Sequence, residues 1–280
     1  HAFATAGTGG FSIKNASFAA YDSRYLQTVV AVFMVLFGVN FNVFYLLICK
    51  RASQALRSEE LRVYLGIIIA STVIIALNIL PQFESWGEAF PHSFFQVASI
   101  MTTTVFSTVD FNLWPELSRM ILIALIIIGA CAGSTGGGIK TTTMFLLMML
   151  VYSIVMNKEE VIAYKHRIPH QLVLKATAIV VISLFVVIFA SVLLSIFEQD
   201  NPQTENYDFV DMLFESASAF GTVGVSTGMT GSLTLPSKIL LMIIMFIGRI
   251  GPLTLTIALS RHSSPQKSSV KYPEGRIIIG

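Results

Sequence analysis

Three short segments rich in Thr, Gly and Ser stand next to long apolar stretches, and they align without a gap. These are the Thr8 loop (residues 8–12), the Thr108 loop (108–112) and the Thr222 loop (222–226), and each threonine follows a small residue. The threonines lie 100 and then 114 residues apart, which indicates a long internal repeat. Backbone carbonyls and threonine hydroxyls are oxygen ligands that can replace the water of a dehydrated cation. We therefore predict that the loops converge on one axis and line a pore; the alternative is three surface turns.

A second glycine-rich segment, residues 129–140, interrupts the mostly apolar stretch 117–156. We refer to it as the glycine loop. Each Gly costs about 1 kcal/mol relative to Ala in a helix interior, so three consecutive glycines predict a break in the helix. Bare backbone at membrane depth is tolerated only inside protein or beside water. An ionisable residue at that depth, here Lys140, indicates a functional role.

Two interpretations of the glycine loop remain open. Its small residues at every fourth position, Gly129, Gly133 and Gly137, would suit close helix packing. A flexible loop across the pore is favoured because the segment follows the Thr108 loop by one half-span. A phosphate-binding loop is disfavoured, because Ile139 separates the glycines from Lys140.

Arg249 is a second cation inside an apolar stretch, flanked by Gly248 and Gly251. Counted from the start of its span, it lies near mid-membrane, where a lone arginine is costly unless it faces water or a partner. We expect Arg249 to point towards the glycine loop; the alternative is that it extends to the cytoplasmic surface.

The composition predicts an integral membrane protein. Of 280 residues, 54% are hydrophobic and 12% are charged, against about 25% charged in soluble proteins. The two cysteines, Cys49 and Cys131, lie in apolar runs and are interpreted as small buried hydrophobes. No apolar span precedes His1, so we interpret the sequence as a fragment that begins inside a pore loop.

Apolar stretches long enough to cross a bilayer are 25–49, 63–80, 172–197 and 239–259, together with the interrupted stretch 117–156. Two shorter ones, 92–105 and 209–220, lead into Thr loops and are predicted to be re-entrant pore helices. Counting Lys175 with the second, the connections after residues 49, 156 and 259 hold twelve of the eighteen Lys and Arg residues, which predicts that they lie in the cytoplasm. All three Thr loops then lie outside, so the repeats are parallel and share an axis along the membrane normal.

Three motifs resemble those of the Trk/Ktr/HKT superfamily of potassium transporters; they lie in segments 133–140, 220–227 and 248–254. Segment 107–114 is more similar to the TrkH branch. The resemblance implies an all-α integral membrane fold. Parallel membrane–pore–membrane repeats surround a central ion pore, and a helix is broken in the third repeat. Residues 1–50 would end the second repeat, 51–156 form the third, 157–260 the fourth, and 261–280 a cytoplasmic tail. The first repeat and part of the second would be missing.

The resemblance also implies roles for individual residues. The K⁺ filter would comprise Thr8, Gly9, Gly10, Thr108, Val109, Asp110, Thr222, Val223 and Gly224. The gate would comprise Gly133, Ser134, Thr135, Gly136, Gly137, Gly138, Lys140 and Arg249. Asp110 departs from the glycine pattern, which makes the filter asymmetric. Its side chain must point away from the axis or attract cations at the outer mouth, and the second role is weakly favoured.

The implied function is potassium uptake through a gated, channel-like pore in the inner (plasma) membrane. The transported ion would be K⁺, with no organic cofactor and no nucleic-acid partner. The partners implied are the lipid membrane, a second copy in a homodimer, and a cytoplasmic nucleotide-binding regulatory subunit of the TrkA/KtrA type.

Two other classes of function are less well supported. An ion-coupled secondary transporter (K⁺/H⁺ or K⁺/Na⁺ symport) would need inverted repeats and a mid-membrane carboxylate. An intramembrane enzyme would need a buried constellation of polar groups, yet all five histidines lie at ends or in connections. We therefore predict that the chain is not an enzyme.

Overall fold

The computed structural model describes residues 1–158, 160–163 and 166–251 of the chain. Within these residues the α-helices are α1 Ala2–Ala6, α2 Arg24–Phe37, α3 Phe41–Ile48, α4 Ala52–Leu56, α5 Glu59–Ile79, α6 Trp86–Met101, α7 Glu116–Ile128, α8 Thr141–Val155, α9 His170–Glu198, α10 Phe209–Phe220 and α11 Leu235–Ile250. Short 3₁₀ turns occupy Ser17–Ala20, Leu80–Gln82, Phe111–Leu113 and Met229–Ser232. Two-residue strands, β1 Ile162–Ala163 and β2 His166–Arg167, form an antiparallel pair. The predicted all-α class is confirmed.

In the described part of the chain, two helices are long and apolar enough to cross a membrane on their own. They are α9 and the segment Glu59–Gln82, which contains α5. A third span is formed if α2 and α3, which meet at an angle of 94°, are counted as one. The predicted span 25–49 is therefore bent, and Asn40 explains why the chain resumes a helix there. Its side-chain Oδ1 accepts a hydrogen bond of 2.9 Å from the Asn42 N–H and caps α3.

Helices α6 and α10, the two predicted re-entrant helices, are called the short helices here, and each packs against three other helices. Helix α6 packs against α2, α5 and α7, and α10 packs against α7, α9 and α11. A half-buried ion pair between Arg119 of α7 and Asp211 of α10 joins the two groups. Helix α10 has the predicted bounds, whereas α6 starts at Trp86 rather than His92 and ends at Met101 rather than Val105. In both short helices a threonine follows the last helical residue by two positions, Thr103 after α6 and Thr222 after α10.

The interrupted stretch 117–156 forms two helices, α7 and α8, with a non-helical segment between them. Its ends are close together, because the Thr141 N–H donates to the Ala130 carbonyl over 3.1 Å. The helix is therefore interrupted over residues 129–140, the segment that contains the three consecutive glycines. Helix α11 ends at Ile250 and is followed by Gly251 with a φ of +87°. Residues 252–259 of the predicted span 239–259, like the tail 261–280, lie outside the described residues.

Candidate functional site

Three helix ends share one backbone conformation. Thr8, Thr103 and Thr222 follow α1, α6 and α10 by two residues and adopt φ angles of +47°, +57° and +52°. In each case the N–H of the next residue donates to a carbonyl five residues earlier: Gly9 to Ala4 at 2.8 Å, Thr104 to Ser99 at 2.8 Å and Val223 to Ser218 at 3.0 Å. The structural repeat therefore runs through segments 8–12, 103–107 and 222–226. We name the middle one the Thr103 loop.

The predicted register of the repeat was wrong by five residues in its middle copy. Helix α6 ends at Met101, so the chain turns at Thr103, and the Thr108 loop follows that turn. Thr108 is buried, and its Oγ1 lies 2.9 Å from Nδ1 of His92. Alignment of ten-residue segments, instead of five-residue ones, gives the correct register. Segments 98–107 and 217–226 share Ala, Ser, Thr and Ser at matching positions.

The third residue of each loop also has a positive φ: +66° at Gly10, +72° at Val105 and +89° at Gly224. A β-branched residue rarely adopts this conformation. A Cβ at Gly10 would lie 2.8 Å from the Cβ of Val105, and one at Gly224 would lie 4.0 Å from its Cγ2. The Val105 side chain thus lies close to both glycines, and the three loops meet at this level. The departure from the glycine pattern is at Val105 rather than at Asp110.

Asp110 is exposed, and its carboxylate is tied to its own loop. The Oδ1 atom accepts a hydrogen bond of 3.0 Å from the Asn112 N–H and caps the turn Phe111–Leu113. Val109, beside it, is half-buried. Attraction of cations by Asp110 stays a prediction.

The Thr103 and Thr222 loops are supported from behind by serines of the short helices. Ser99 Oγ donates to the Phe106 carbonyl and Ser218 Oγ to the Val225 carbonyl, each over 2.5 Å. These serines were not predicted as site residues, although they are matching residues of segments 98–107 and 217–226.

A carboxylate also holds the segment that follows the Thr222 loop. Glu215 of α10 accepts hydrogen bonds from the Thr227 N–H at 3.1 Å, from Thr230 Oγ1 at 2.9 Å and from the Ser226 hydroxyl. Glu215 was not predicted as a site residue, because it is one of several polar residues inside the predicted helix 209–220.

The glycine loop lies against the start of all three loops. Thr8 Oγ1 donates to the Thr135 carbonyl over 3.1 Å, and the Gly137 N–H donates to Thr103 Oγ1 over 3.0 Å. A Cβ at Gly137 would lie 2.4 Å from both the Gly221 carbonyl oxygen and Thr222 Oγ1. Only glycine permits this approach. Hydrogen bonds with the side chains of Thr8 and Thr103 therefore hold the glycine loop at the first residue of each of these two loops.

The remaining predicted gate residues, except Gly133, line one cavity of about 490 Å³. Its wall includes Ser134, Gly136, Gly138, Lys140, Thr222 and Arg249. The Lys140 ammonium donates to the Gly136 carbonyl, so its charge stays within the glycine loop. Gly133, at the opposite end of the segment, has a φ of +70° and packs against Asn40. Among the described residues, no group of three or more His, Cys, Asp or Glu side chains could hold a metal ion.

Comparison with known proteins gives consistent matches. The model of the family described as "TrkH: Cation transport protein" matches residues 1–272. The chain is 28% identical over 289 residues to the Ktr system potassium uptake protein B of Bacillus subtilis, a match that covers 100% of this chain and 62% of that protein. It is 33% identical over 137 residues to the Trk system potassium uptake protein TrkH of Escherichia coli K12, covering 48% of this chain and 28% of that protein.

A solved structure has the same fold. The crystal structure of the potassium transporter TrkH from Vibrio parahaemolyticus superposes with a TM-score of 0.78 at 24% sequence identity, over 92% of this chain and 57% of that one. The chain thus spans about three fifths of the length of that structure and of the Bacillus subtilis relative. Because the family model covers nearly every residue, the chain belongs to the TrkH family of cation transport proteins and is a multi-pass protein of the plasma membrane.

Proposed function

We propose that this chain forms part of a gated, channel-like pore through which the complete protein takes up potassium ions. The observation that carries the proposal is the threefold recurrence of one loop geometry at Thr8, Thr103 and Thr222, with neighbouring loops in contact at Val105. The relatives are named potassium uptake proteins, which supports K⁺ as the transported ion. The proposed filter consists of segments 8–10, 103–105 and 222–224.

The helices that precede the loops suit a cation. Each loop follows the C-terminal end of α1, α6 or α10, and the C-terminus of a helix carries a partial negative charge of about half an elementary charge. Carbonyl oxygens in the loops would replace the hydration shell of the ion. The side-chain oxygens of Thr8 and Thr103 are bonded to the glycine loop, so the filter ligands at this end of the pore are coupled to the gate.

The glycine loop is the proposed gate. It lies directly below the filter, and its direct contacts to all three threonines support a position across the ion path. Lys140 and Arg249 line the cavity on the same side. Two unit charges about 4 Å apart interact by about 4 kcal/mol at an effective dielectric constant of 20, so cationic side chains there raise the barrier for K⁺.

The repeat boundaries and the assembly are part of the same proposal. Residues 1–50, 51–156 and 157–260 would be successive parts of parallel repeats, with 261–280 as a cytoplasmic tail. The family resemblance supports a homodimer bound to a cytoplasmic nucleotide-binding subunit. It also implies four loops around the filter, of which this chain supplies three.

The function is tested by comparing Gly224→Ser with Gly231→Ser in the full-length protein reconstituted into liposomes. A Cβ at Gly231 meets nothing within 4 Å, so this variant controls for the added side chain. We expect Gly224→Ser alone to lower the ratio of K⁺ to Na⁺ flux. An unchanged ratio in a folded Gly224→Ser protein would refute the filter assignment, and flux that requires a H⁺ or Na⁺ gradient would instead support a coupled transporter.

A further inference from the structure

Glu60 is a buried carboxylate in the first turn of α5, with 8% of its surface exposed. Its Oε1 accepts a hydrogen bond of 2.8 Å from the Ala132 N–H of the glycine loop. Its Oε2 accepts one of 3.2 Å from Nδ2 of Asn40, at the bend between α2 and α3. A buried charge is costly unless it is hydrogen-bonded, and here both oxygens have donors. Glu60 therefore joins three elements that are distant in sequence.

Main-chain hydrogen bonds surround this junction. The Cys131 N–H donates to the Gly38 carbonyl and the Phe41 N–H donates to the Gly133 carbonyl, both over 3.1 Å. Residues 130–133 of the glycine loop are thus attached to the bend, whereas residues 135–137 lie against the Thr loops. Glu60 brings a charged side chain to the first of these two parts.

We propose that Glu60, together with Asn40, is a positioning residue that holds the glycine loop in its closed place below the filter. The inference rests on the proposed gating function of that loop. A hydrogen bond to an ionised acceptor is roughly twice as strong as a neutral one, so the carboxylate holds Ala132 more firmly than an amide would. Release of this contact leaves residues 130–133 held to the bend by their two main-chain hydrogen bonds alone, so this part of the loop is displaced more easily.

The geometry predicts a specific rescue. In Glu60→Gln, the amide oxygen can still accept from Ala132, but its NH₂ group then faces the NH₂ group of Asn40. Asn40 cannot turn over without loss of its bond to the Asn42 N–H, which caps α3. When Asn40→Asp is added, one oxygen of the new carboxylate keeps that cap and the other accepts from the amide introduced at position 60. The double variant therefore restores every donor–acceptor pair, whereas Asn40→Asp alone brings two carboxylates together.

The first readout is K⁺ flux per folded protein, measured with the full-length protein in liposomes. We expect Glu60→Gln and Asn40→Asp each to raise flux roughly tenfold, which corresponds to about 1.4 kcal/mol. The double variant should reverse most of this increase, because contacting residues couple rather than add. The reversal is incomplete because the Ala132 N–H then donates to a neutral amide oxygen instead of a carboxylate. Glu116→Gln is the matched control, since Glu116 also lies in the first turn of its helix but is exposed.

The second readout does not depend on flux. Cys131 is buried in the glycine loop next to Ala132, so the rate at which a thiol reagent labels it reports release of this part. In a background where Cys131 is the only cysteine, labelling should be faster in both Glu60→Gln and Asn40→Asp and slow again in the double variant. Asn40→Asp adds a negative charge near the thiol, which by itself slows labelling, so faster labelling in that variant reports release of the loop and not a change of charge. A merely structural role would reduce the yield of folded protein and would not speed up both flux and labelling.

The outcomes separate this inference from the gating proposal. Deletion of Gly136 and Gly137 should raise flux if the loop is a gate. If the deletion raises flux while Glu60→Gln changes neither flux nor labelling, the positioning role is overturned and the gate stands. If Asn40→Asp fails to reverse the effects of Glu60→Gln, the pairing is overturned. If neither the deletion nor Glu60→Gln alters flux, the gate itself is refuted, whatever the labelling rate.

Discussion

Replacement of Val105 by Gly is the sharpest test of the filter register. Val105 stands where the other two loops have glycine, and its side chain lies beside both Gly10 and Gly224. The substitution would give all three loops the same residue at the level where they meet. If carbonyls at this level coordinate K⁺, a uniform set of flexible residues should favour K⁺ over Na⁺ more strongly than the present asymmetric set.

The effect on folding should be small, because opposing terms nearly cancel. Relief of a positive φ in a residue with a Cβ gains about 1–2 kcal/mol. The extra backbone freedom of Gly in the unfolded chain costs about 0.5–1 kcal/mol. Val105 is half-buried, so its removal loses only part of the roughly 1.5–3 kcal/mol that a fully buried side chain contributes. We expect the free energy of unfolding to change by no more than about 1 kcal/mol.

The assay is competition between K⁺ and Na⁺ for uptake by the full-length protein in liposomes. We expect Val105→Gly to raise the K⁺ preference by up to about tenfold, equivalent to about 1.4 kcal/mol. Val109→Gly is the control, because Val109 is also a half-buried valine and belongs to the Thr108 loop. A larger change in K⁺ preference at Val109 than at Val105 would refute the assignment of segment 103–105 to the filter. No change in either variant would show that the backbone at Val105 does not line the ion path.

Three further variants test the same site. Gly10→Ala should lower the melting temperature more than Gly224→Ala does, although both substitutions cost about 1–2 kcal/mol for a positive φ. Only at Gly10 would the new Cβ overlap a backbone carbonyl, Thr104 O at 2.2 Å, whereas a Cβ at Gly224 has one neighbour at 4.0 Å. Equal melting temperatures would contradict this expectation. Arg249→Ala should raise K⁺ flux several-fold, whereas Lys238→Ala, at the exposed start of the same helix, should not; equal fluxes would remove Arg249 from the gate. Asp110→Asn keeps the cap on Asn112 and removes the charge, so uptake should fall most at low external K⁺ and low ionic strength; equal uptake at every concentration would leave Asp110 a purely structural role.

Local composition determined much of this protein. The shortage of charge and the apolar run lengths identify a membrane protein. The glycines of segment 129–140 account for the separation of α7 and α8: α7 ends directly before Gly129, and the three consecutive glycines further along disfavour a helix before Thr141. The end of α10 could be predicted because Gly221 follows its last apolar residue, and the Thr222 loop was therefore placed correctly.

Tertiary structure decided what local patterns left open. The register of the middle loop depends on where α6 ends, and the run Thr102-Thr103-Thr104 offers no glycine to mark that end. Val105 adopts a positive φ against its own preference because the packed α6 and the bond from Ser99 to Phe106 hold the chain on both sides of it. The bond between Glu60 and Ala132 joins residues 72 positions apart. Such contacts arise only when helices far apart in sequence pack together, because neither partner carries a local signal for the other.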